Sequence, residues 1–407
     1  MTVTIAATGM GGTATLTCEA QEAIAAAELL IGAGRMLEPY ETSGKALFRS
    51  YDPASIAERL RSGSEQTAAV LMSGDTGFFS GTRKLLPLLT GMEVRVLPGI
   101  ASPVYLCART GRSWERLHCV TLHGTEGSIA VHVRSHPLTC FLLGGRISAA
   151  MLCRRLLDYS LPDTAVHIGM RLGCPDEQIL HGNPADFTAL PPEKLCTVLV
   201  ENPACCPYLP SGIPDSAFLR TTVPMTKSEV RCLAVSSLCI APDDIVWDIG
   251  CGTGSVTTEL ALRCPDGHVY AIDRSAGAVR LTLENLRRFS CDNVTVTEGT
   301  FPETPLPPPG KVFLGGTGGS LRQIAETVYA ANPAAHIVLT AVTLETLAAA
   351  QTVFAALGKA CTVTQIAVTR TKHVGSHTLL QAENPVFLIS VQPAGETSGT
   401  SMQTTEL

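Results

Sequence analysis

Seven residues do most to limit what this chain can become: Asp248-Ile249-Gly250-Cys251-Gly252-Thr253-Gly254. They follow the apolar run Ile245-Val246-Trp247 and lead into residues 255–263, which read as a helix. Glycines in alternation let a backbone turn sharply at the end of a strand and let a ligand approach the main chain. The next apolar run, Val269-Tyr270-Ala271-Ile272, ends on Asp273. That is about 20 residues beyond the loop, where strand–loop–helix folds hold ribose hydroxyls with a carboxylate. A nicotinamide dinucleotide fingerprint needs its third glycine three residues after the second, and Gly254 follows Gly252 by only two.

Strand–loop–helix units recur along the chain. Residues 294–296 read as a strand, and residues 276–289 and 321–331 as helices, the latter with Leu321, Ile324 and Val328 on one face. Near the start, residues 2–7 read as a strand, Thr8-Gly9-Met10-Gly11-Gly12 as a glycine turn and residues 16–30 as a helix. Strand 68–72 runs into Ser73-Gly74-Asp75-Thr76-Gly77, and strand 93–97 into Pro98-Gly99-Ile100-Ala101-Ser102. This alternation predicts α/β architecture with a largely parallel sheet. Between them, Pro203, Pro207, Pro210, Gly212 and Pro214 punctuate the chain. The expected division is a domain over 1–204, a linker over 205–222, a second domain over 223–394 and a Thr/Ser/Gly-rich tail over 395–407.

At 407 residues, 45% hydrophobic and 16% charged, the chain has material for two or three buried cores. Five per cent aromatics and a net charge of −6 argue against nucleic acid as a partner. No stretch reads as a membrane span or a signal peptide, so a cytoplasmic protein is expected. The fifteen cysteines include no C-x-x-C pair. They read as reduced, buried small hydrophobes, and no metal site is expected.

The Asp-x-Gly-x-Gly-x-Gly loop with Tyr270-Ala271-Ile272-Asp273 resembles the S-adenosylmethionine motif of class I methyltransferases. Residues 223–392 resemble the decarboxylating carbon-15 methyltransferases of corrin synthesis. The resemblance rests on Met225-Thr226-Lys227-Ser228-Glu229-Val230-Arg231, the loop above, Glu298-Gly299-Thr300-Phe301-Pro302-Glu303 and Gly315-Gly316-Thr317-Gly318-Gly319. That family carries an Asp after the glycine of the third motif, where this chain has Thr300. The N-terminal loops, Ser73 to Gly81 above all, resemble the two-lobed tetrapyrrole methylase fold (class III), and Glu201-Asn202-Pro203 fits its carbon-5 subfamily. The first loop departs from that family's Gly-x-Gly-Pro-Gly, with Thr8 and Gly11 in two of the places.

Class III followed by class I is the order of the fused, decarboxylating C(5,15)-methyltransferase family. The resemblance implies a two-lobed tetrapyrrole methylase fold followed by a Rossmann-like class I domain, with one S-adenosylmethionine site in each. It implies an anionic tetrapyrrole substrate, a precorrin or cobalt-precorrin, and a homo-oligomer. The cofactor-binding residues it implies are Gly9, Gly11, Gly74, Asp75, Gly77 and Ser102 in the first domain. In the second they are Thr226, Asp248, Gly250, Gly252, Thr253, Gly254, Asp273, Gly299, Thr300, Gly315 and Gly316. Methyl transfer to an enamine-like ring carbon demands alignment more than a strong base, so catalytic residues stay open, with Asp75, Lys227 and Arg231 as candidates. Substrate carboxylates call for Arg or Lys: Lys227, Arg231, Arg370 and Lys372, with Arg109, Arg112 and Arg116 in the first domain. The alternatives are a tetrapyrrole-binding protein with one retired domain and a methyltransferase of protein or RNA.

Overall fold

The computed structural model describes residues 1–11, 13–123, 127–193, 195–206, 212–303, 305–316 and 318–392. Gly12, Pro207, Pro210, Thr317 and the expected tail therefore lie outside the described residues. The chain forms two compact units.

Unit 1 comprises Met1–Glu126, His136–Arg154 and Pro162–Ala204. Its first five strands are β1 (Thr2–Ala7), β2 (Leu29–Gly32), β3 (Ala46–Arg49), β4 (Thr67–Met72) and β5 (Glu93–Leu97). They form one parallel sheet in the order β3-β2-β4-β1-β5. The helix expected over 16–30 is shorter. Thr17 caps it by accepting the amide of Ala20, it spans Cys18–Ala26, and the chain is in β2 three residues later. Leu29, Leu30 and Ile31 are fully buried. A strand buried on both faces is apolar at every position, so its sequence cannot be told from the end of a helix.

A second sheet holds β6 (His118–Thr121), β7 (Leu138–Leu143), β8 (Ala165–Met170), β9 (Gln178–Gly182) and β10 (Cys196–Glu201), ordered β6-β7-β10-β8-β9. Here the expectation of parallel pairing fails. Only β6 and β7 run parallel, and the other pairs are antiparallel. The glycine-loop units that signal parallel crossovers stop after Ser102.

Unit 2 comprises Gly127–Ser135, Arg155–Leu161 and Cys205–Leu407. Its strands are β11 (Ile245–Ile249), β12 (His268–Asp273), β13 (Val294–Glu298), β14 (Lys311–Leu314), β15 (His336–Ala341), β16 (Thr362–Ile366), β17 (Thr369–Val374), β18 (His377–Ala382) and β19 (Val386–Val391). The main sheet is ordered β13-β12-β11-β14-β15-β19-β16. Its first five strands are parallel, and β19 runs antiparallel between β15 and β16. Strands β17 and β18 form a separate hairpin. Apolar clusters cover both faces of the main sheet, one around Phe313 and Leu260, the other around Trp247 and Phe354. The strand order reverses at β11, which pairs with β12 on one side and β14 on the other. In open α/β sheets that reversal opens a crevice at the carboxyl ends of the strands.

Candidate active sites

In unit 2 the loops after β11 and β14 meet at the crevice. Gly250 donates its amide to Ile272 O at 2.8 Å and Gly315 to Ile249 O at 2.9 Å. A Cβ on Gly250 would lie 2.9 Å from Gly316 N, and one on Gly315 would lie 2.7 Å from Gly250 O. Gly250 also has φ +80°, a conformation that side-chain-bearing residues rarely adopt. The glycines here let two main chains touch.

Asp273, at the end of β12, accepts the amides of Gly252 at 3.0 Å and Ser275 at 2.9 Å, one on each carboxylate oxygen. A carboxylate has about four lone-pair sites, so room remains for hydroxyls. Asp248 is fully buried. Its Oδ2 accepts the Thr257 hydroxyl at 2.5 Å, while Oδ1 has no partner. Burial pushes this carboxyl up to about 7, and the nearby Asp273 adds to the rise.

Two cavities flank the loop crossing. One, of about 630 Å³, is lined by Asp273, Arg274, Gly299, Thr300, Phe301 and Gly316 among others. The second, of about 530 Å³, is lined by Thr226, Lys227, Asp248, Thr253, Ser255, Thr340, Glu383 and Asn384, with Phe313, Val342, Ile366, Val368 and Val386 as an apolar wall. Pro224, Gly250, Gly252 and Gly315 line both. The predicted residues of this unit are thus brought to one place, except Gly254, which packs on Thr282 behind the loop. Thr340 near the end of β15, and Glu383 and Asn384 between β18 and β19, come from distant parts of the chain that only the fold gathers here.

The adenosyl and amino-acid ends of S-adenosylmethionine need hydroxyl-accepting and ammonium-accepting groups respectively. Asp273 and the unpartnered Asp248 oxygen supply these in adjoining cavities, so the residues fit the cofactor.

The basic candidates separate sharply. Lys227 is the Lys or Arg that lines the 530 Å³ cavity among the described residues, and it sits 3.7 Å from Asp215. Arg231 requires a correction, because it is fully buried and lines neither cavity. It bonds Glu259 at 2.6 Å, Thr226 O at 2.6 Å, Asp215 at 3.3 Å and Ile213 O, under the ring of Phe218. These bonds take four of its five N–H groups and full burial keeps it from a substrate, so its task is to hold the Thr226 segment. Arg370 is clasped between Glu229 and Glu383. Lys372 lies on the exposed β17–β18 hairpin.

In unit 1 the loops after β1, β4 and β5 also converge. Gly9 and Gly74 exchange backbone hydrogen bonds of 3.1 and 2.8 Å. Asp75 accepts Gly77 N at 2.7 Å on one oxygen and Gly99 N at 2.8 Å on the other. It caps no helix, since the next one begins at Thr82, so Asp75 is a tie between two loops. Ser102 accepts the hydroxyl of Thr197 at 3.2 Å. Arg109 pairs with Glu177 at 2.9 Å and Arg112 with Glu201 at 2.8 Å. Glu201 also meets His167 at 2.6 Å. Burial opposes the charge of Glu201, but Arg112 and His167 outweigh it and hold the carboxyl below its usual range.

Comparison with known proteins finds two family models along the chain. Residues 2–188 match the model of the tetrapyrrole (corrin/porphyrin) methylases, and residues 217–392 that of the precorrin methyltransferase domain. A probable cobalt-precorrin-6B C(15)-methyltransferase (decarboxylating) from Pyrobaculum calidifontis is 41% identical over 45% of this chain and 97% of its own length. The cobalt-precorrin-6B C(15)-methyltransferase (decarboxylating) of Salmonella typhimurium is 37% identical over 44% of this chain and 94% of its own. The solved precorrin-6y C5,15-methyltransferase of Geobacter metallireducens is 35% identical, covering 44% of this chain and 96% of that one, with a TM-score of 0.43. The chain belongs to the precorrin methyltransferase family, its precorrin methyltransferase domain following a tetrapyrrole methylase domain.

Proposed function

We propose that this chain methylates a precorrin at carbons 5 and 15 and removes the carboxylate of its ring-C acetate, in cobalamin biosynthesis. One observation carries the reading for unit 2: two cavities that share Pro224, Gly250, Gly252 and Gly315 as a common wall. A donor that spans the two cavities would carry its methyl group past that wall to an acceptor entering the 530 Å³ side, and alignment of this kind supplies much of the rate of a methyl transfer.

When bound, S-adenosylmethionine supplies an electrophilic methyl group. Asp273 would hold its ribose hydroxyls, Gly299 and Thr300 would line the adenosyl side, and the free oxygen of Asp248 would take its ammonium. Thr226 and the backbone of residues 250–253 close the remaining contacts. Lys227 pairs with a substrate carboxylate by a charge-assisted hydrogen bond. The apolar wall of Phe313, Ile366, Val368 and Val386 excludes water. The ring carbon brings its own electron pair. As carbon dioxide leaves the acetate, the freed pair enters the conjugated ring, and a proton takes the place of the lost carboxylate.

In unit 1, Gly9, Gly11, Gly74, Asp75, Gly77 and Ser102 would hold a second S-adenosylmethionine, which would supply the methyl group for carbon 5. The same reading makes the enzyme a cytoplasmic homo-oligomer. The relatives are named for cobalt-precorrin-6B, which favours a cobalt-containing substrate over the metal-free one. Incubating the full chain with S-adenosylmethionine and each substrate, followed by mass spectrometry, tests the reading. Two added methyl groups and one lost carbon dioxide are expected, and Lys227→Met should raise KM for the tetrapyrrole tenfold or more. Absence of both methyl gain and carbon dioxide loss overturns it.

A further inference from the structure

Just beyond β15, Val342 is 70% exposed, and Leu344, the first residue of the helix Leu344–Ala356, is 69% exposed. Isolated exposed apolar residues are ordinary on protein surfaces, so their setting decides what they mean. Val342 lines the 530 Å³ cavity together with Thr340, and the segment lies at the carboxyl edge of the parallel strands, where such folds bind ligands. Thr343 caps the helix by accepting Thr346 N at 3.2 Å, which fixes the backbone between the two side chains. A residue before the cap often packs against the fourth helical residue. Val342 occupies that place relative to Leu347, yet it remains mostly in water.

At about 530 Å³ the cavity lies mid-range for sites that enclose small ligands, roughly 300–1,000 Å³. It must already admit the amino-acid end of the methyl donor beside Asp248. A macrocycle of four rings with its acid side chains does not fit in what is left. Only the edge carrying the reacting carbon and the acetate can enter, and the rest of the ring system must lie across the mouth.

We propose that Val342 and Leu344 form an apolar shelf that receives the face of the tetrapyrrole outside the cavity. The inference rests on the methyltransferase reading above and assigns the part of the substrate that reading leaves without contacts. A flat, conjugated ring edged by carboxylates suits such a shelf: its face covers the two side chains, while Lys227 takes an acid group at the rim. The shelf accordingly selects macrocyclic acceptors over small ones without touching the methyl donor.

The test uses the full chain with Val342→Ser, Leu344→Ser, the double variant and the conservative Val342→Ile. Cobalt-precorrin-6B and precorrin-6B are the probes. For the double variant KM for the accepted tetrapyrrole is expected to rise tenfold or more, with kcat within threefold of wild type. Val342→Ile keeps the wild-type KM, and the dissociation constant for S-adenosylhomocysteine stays within twofold throughout. An unchanged KM in the double variant overturns the shelf. A changed sedimentation coefficient with an unchanged KM also overturns it, assigning these residues to contact with a second copy. A wild-type chain that transforms neither probe brings down the methyltransferase reading, and the shelf with it.

Discussion

At Asp248 stability and binding pull in opposite directions. The carboxyl is buried, one oxygen has no partner, and burial raises its pKa to about 7 from 3.8. Between those values the folded chain binds a proton that the unfolded chain has released. The associated stability is therefore full below about pH 4 and is lost as pH rises to about 7. Asp248→Asn removes the penalty, because an amide stays neutral. Its ligand-free melting temperature should exceed that of wild type at pH 8 and match it near pH 4. The same change should weaken S-adenosylhomocysteine binding by about 1.5–3 kcal/mol, the scale of a hydrogen bond between charged partners. Melting curves at the two pH values and calorimetric titration at pH 8 check both halves. Equal affinity in the variant would take Asp248 out of the site.

The two glycine-bearing loops of unit 2 behave as one element, and their glycines are not equivalent. A methyl on Gly250 meets Gly316 N at 2.9 Å, whereas one on Gly252 meets Pro224 O at 3.4 Å, an ordinary contact on a cavity wall. Gly250→Ala should push the loops apart and cost most of its effect in melting temperature. Gly252→Ala should fold, with strain of about 1–2 kcal/mol from its left-handed φ of +58°, and lose affinity for S-adenosylhomocysteine. Thermal melting beside calorimetry separates the two effects, and a Gly252→Ala chain of wild-type affinity refutes the assignment. The loop after β11 was legible in the sequence, because its signal is local: an apolar run, then glycines, then a helical pattern; its contact with the Gly315 loop is seen only in the fold. The same locality explains the strands found around residues 2–7, 68–72, 93–97 and 245–249. It also explains what could not be read. Strand β2 is apolar at each buried position and looks like helix, while the antiparallel pairing of β7, β8, β9 and β10 depends on partners far along the chain. Arg231 looked like a free cation because nothing near it in sequence reveals Glu259 or Ile213, which take its donors.

For the whole molecule the question is whether two methylations run at independent sites. Cutting the chain at the proline-rich stretch is a poor way to ask, because unit 2 includes Gly127–Ser135 and Arg155–Leu161. Within that unit Asp292 accepts the amides of Ile129 at 2.7 Å and Val131 at 3.2 Å, and Arg155 lies 3.8 Å away. A fragment beginning near residue 216 would keep Asp292 but lose the residues that bond it, together with Val131 from the unit's apolar core. Such a fragment's inactivity would mean little. Single substitutions in the full chain answer the question. Asp75→Ala frees the loops at Gly77 and Gly99 in unit 1, and Asp248→Asn replaces the charged ammonium acceptor in unit 2 by a neutral amide. If each unit holds its own methyl donor, wild type binds two equivalents of S-adenosylhomocysteine and each variant retains one tight site. Mass spectrometry of the products should then divide cleanly. The Asp75→Ala chain adds the carbon-15 methyl and releases carbon dioxide, but leaves carbon 5 bare. The Asp248→Asn chain, at limiting S-adenosylmethionine, methylates carbon 5 and keeps the acetate carboxylate. A single binding equivalent in wild type, or decarboxylation that follows the unit 1 substitution, would mean that the two reactions share one site.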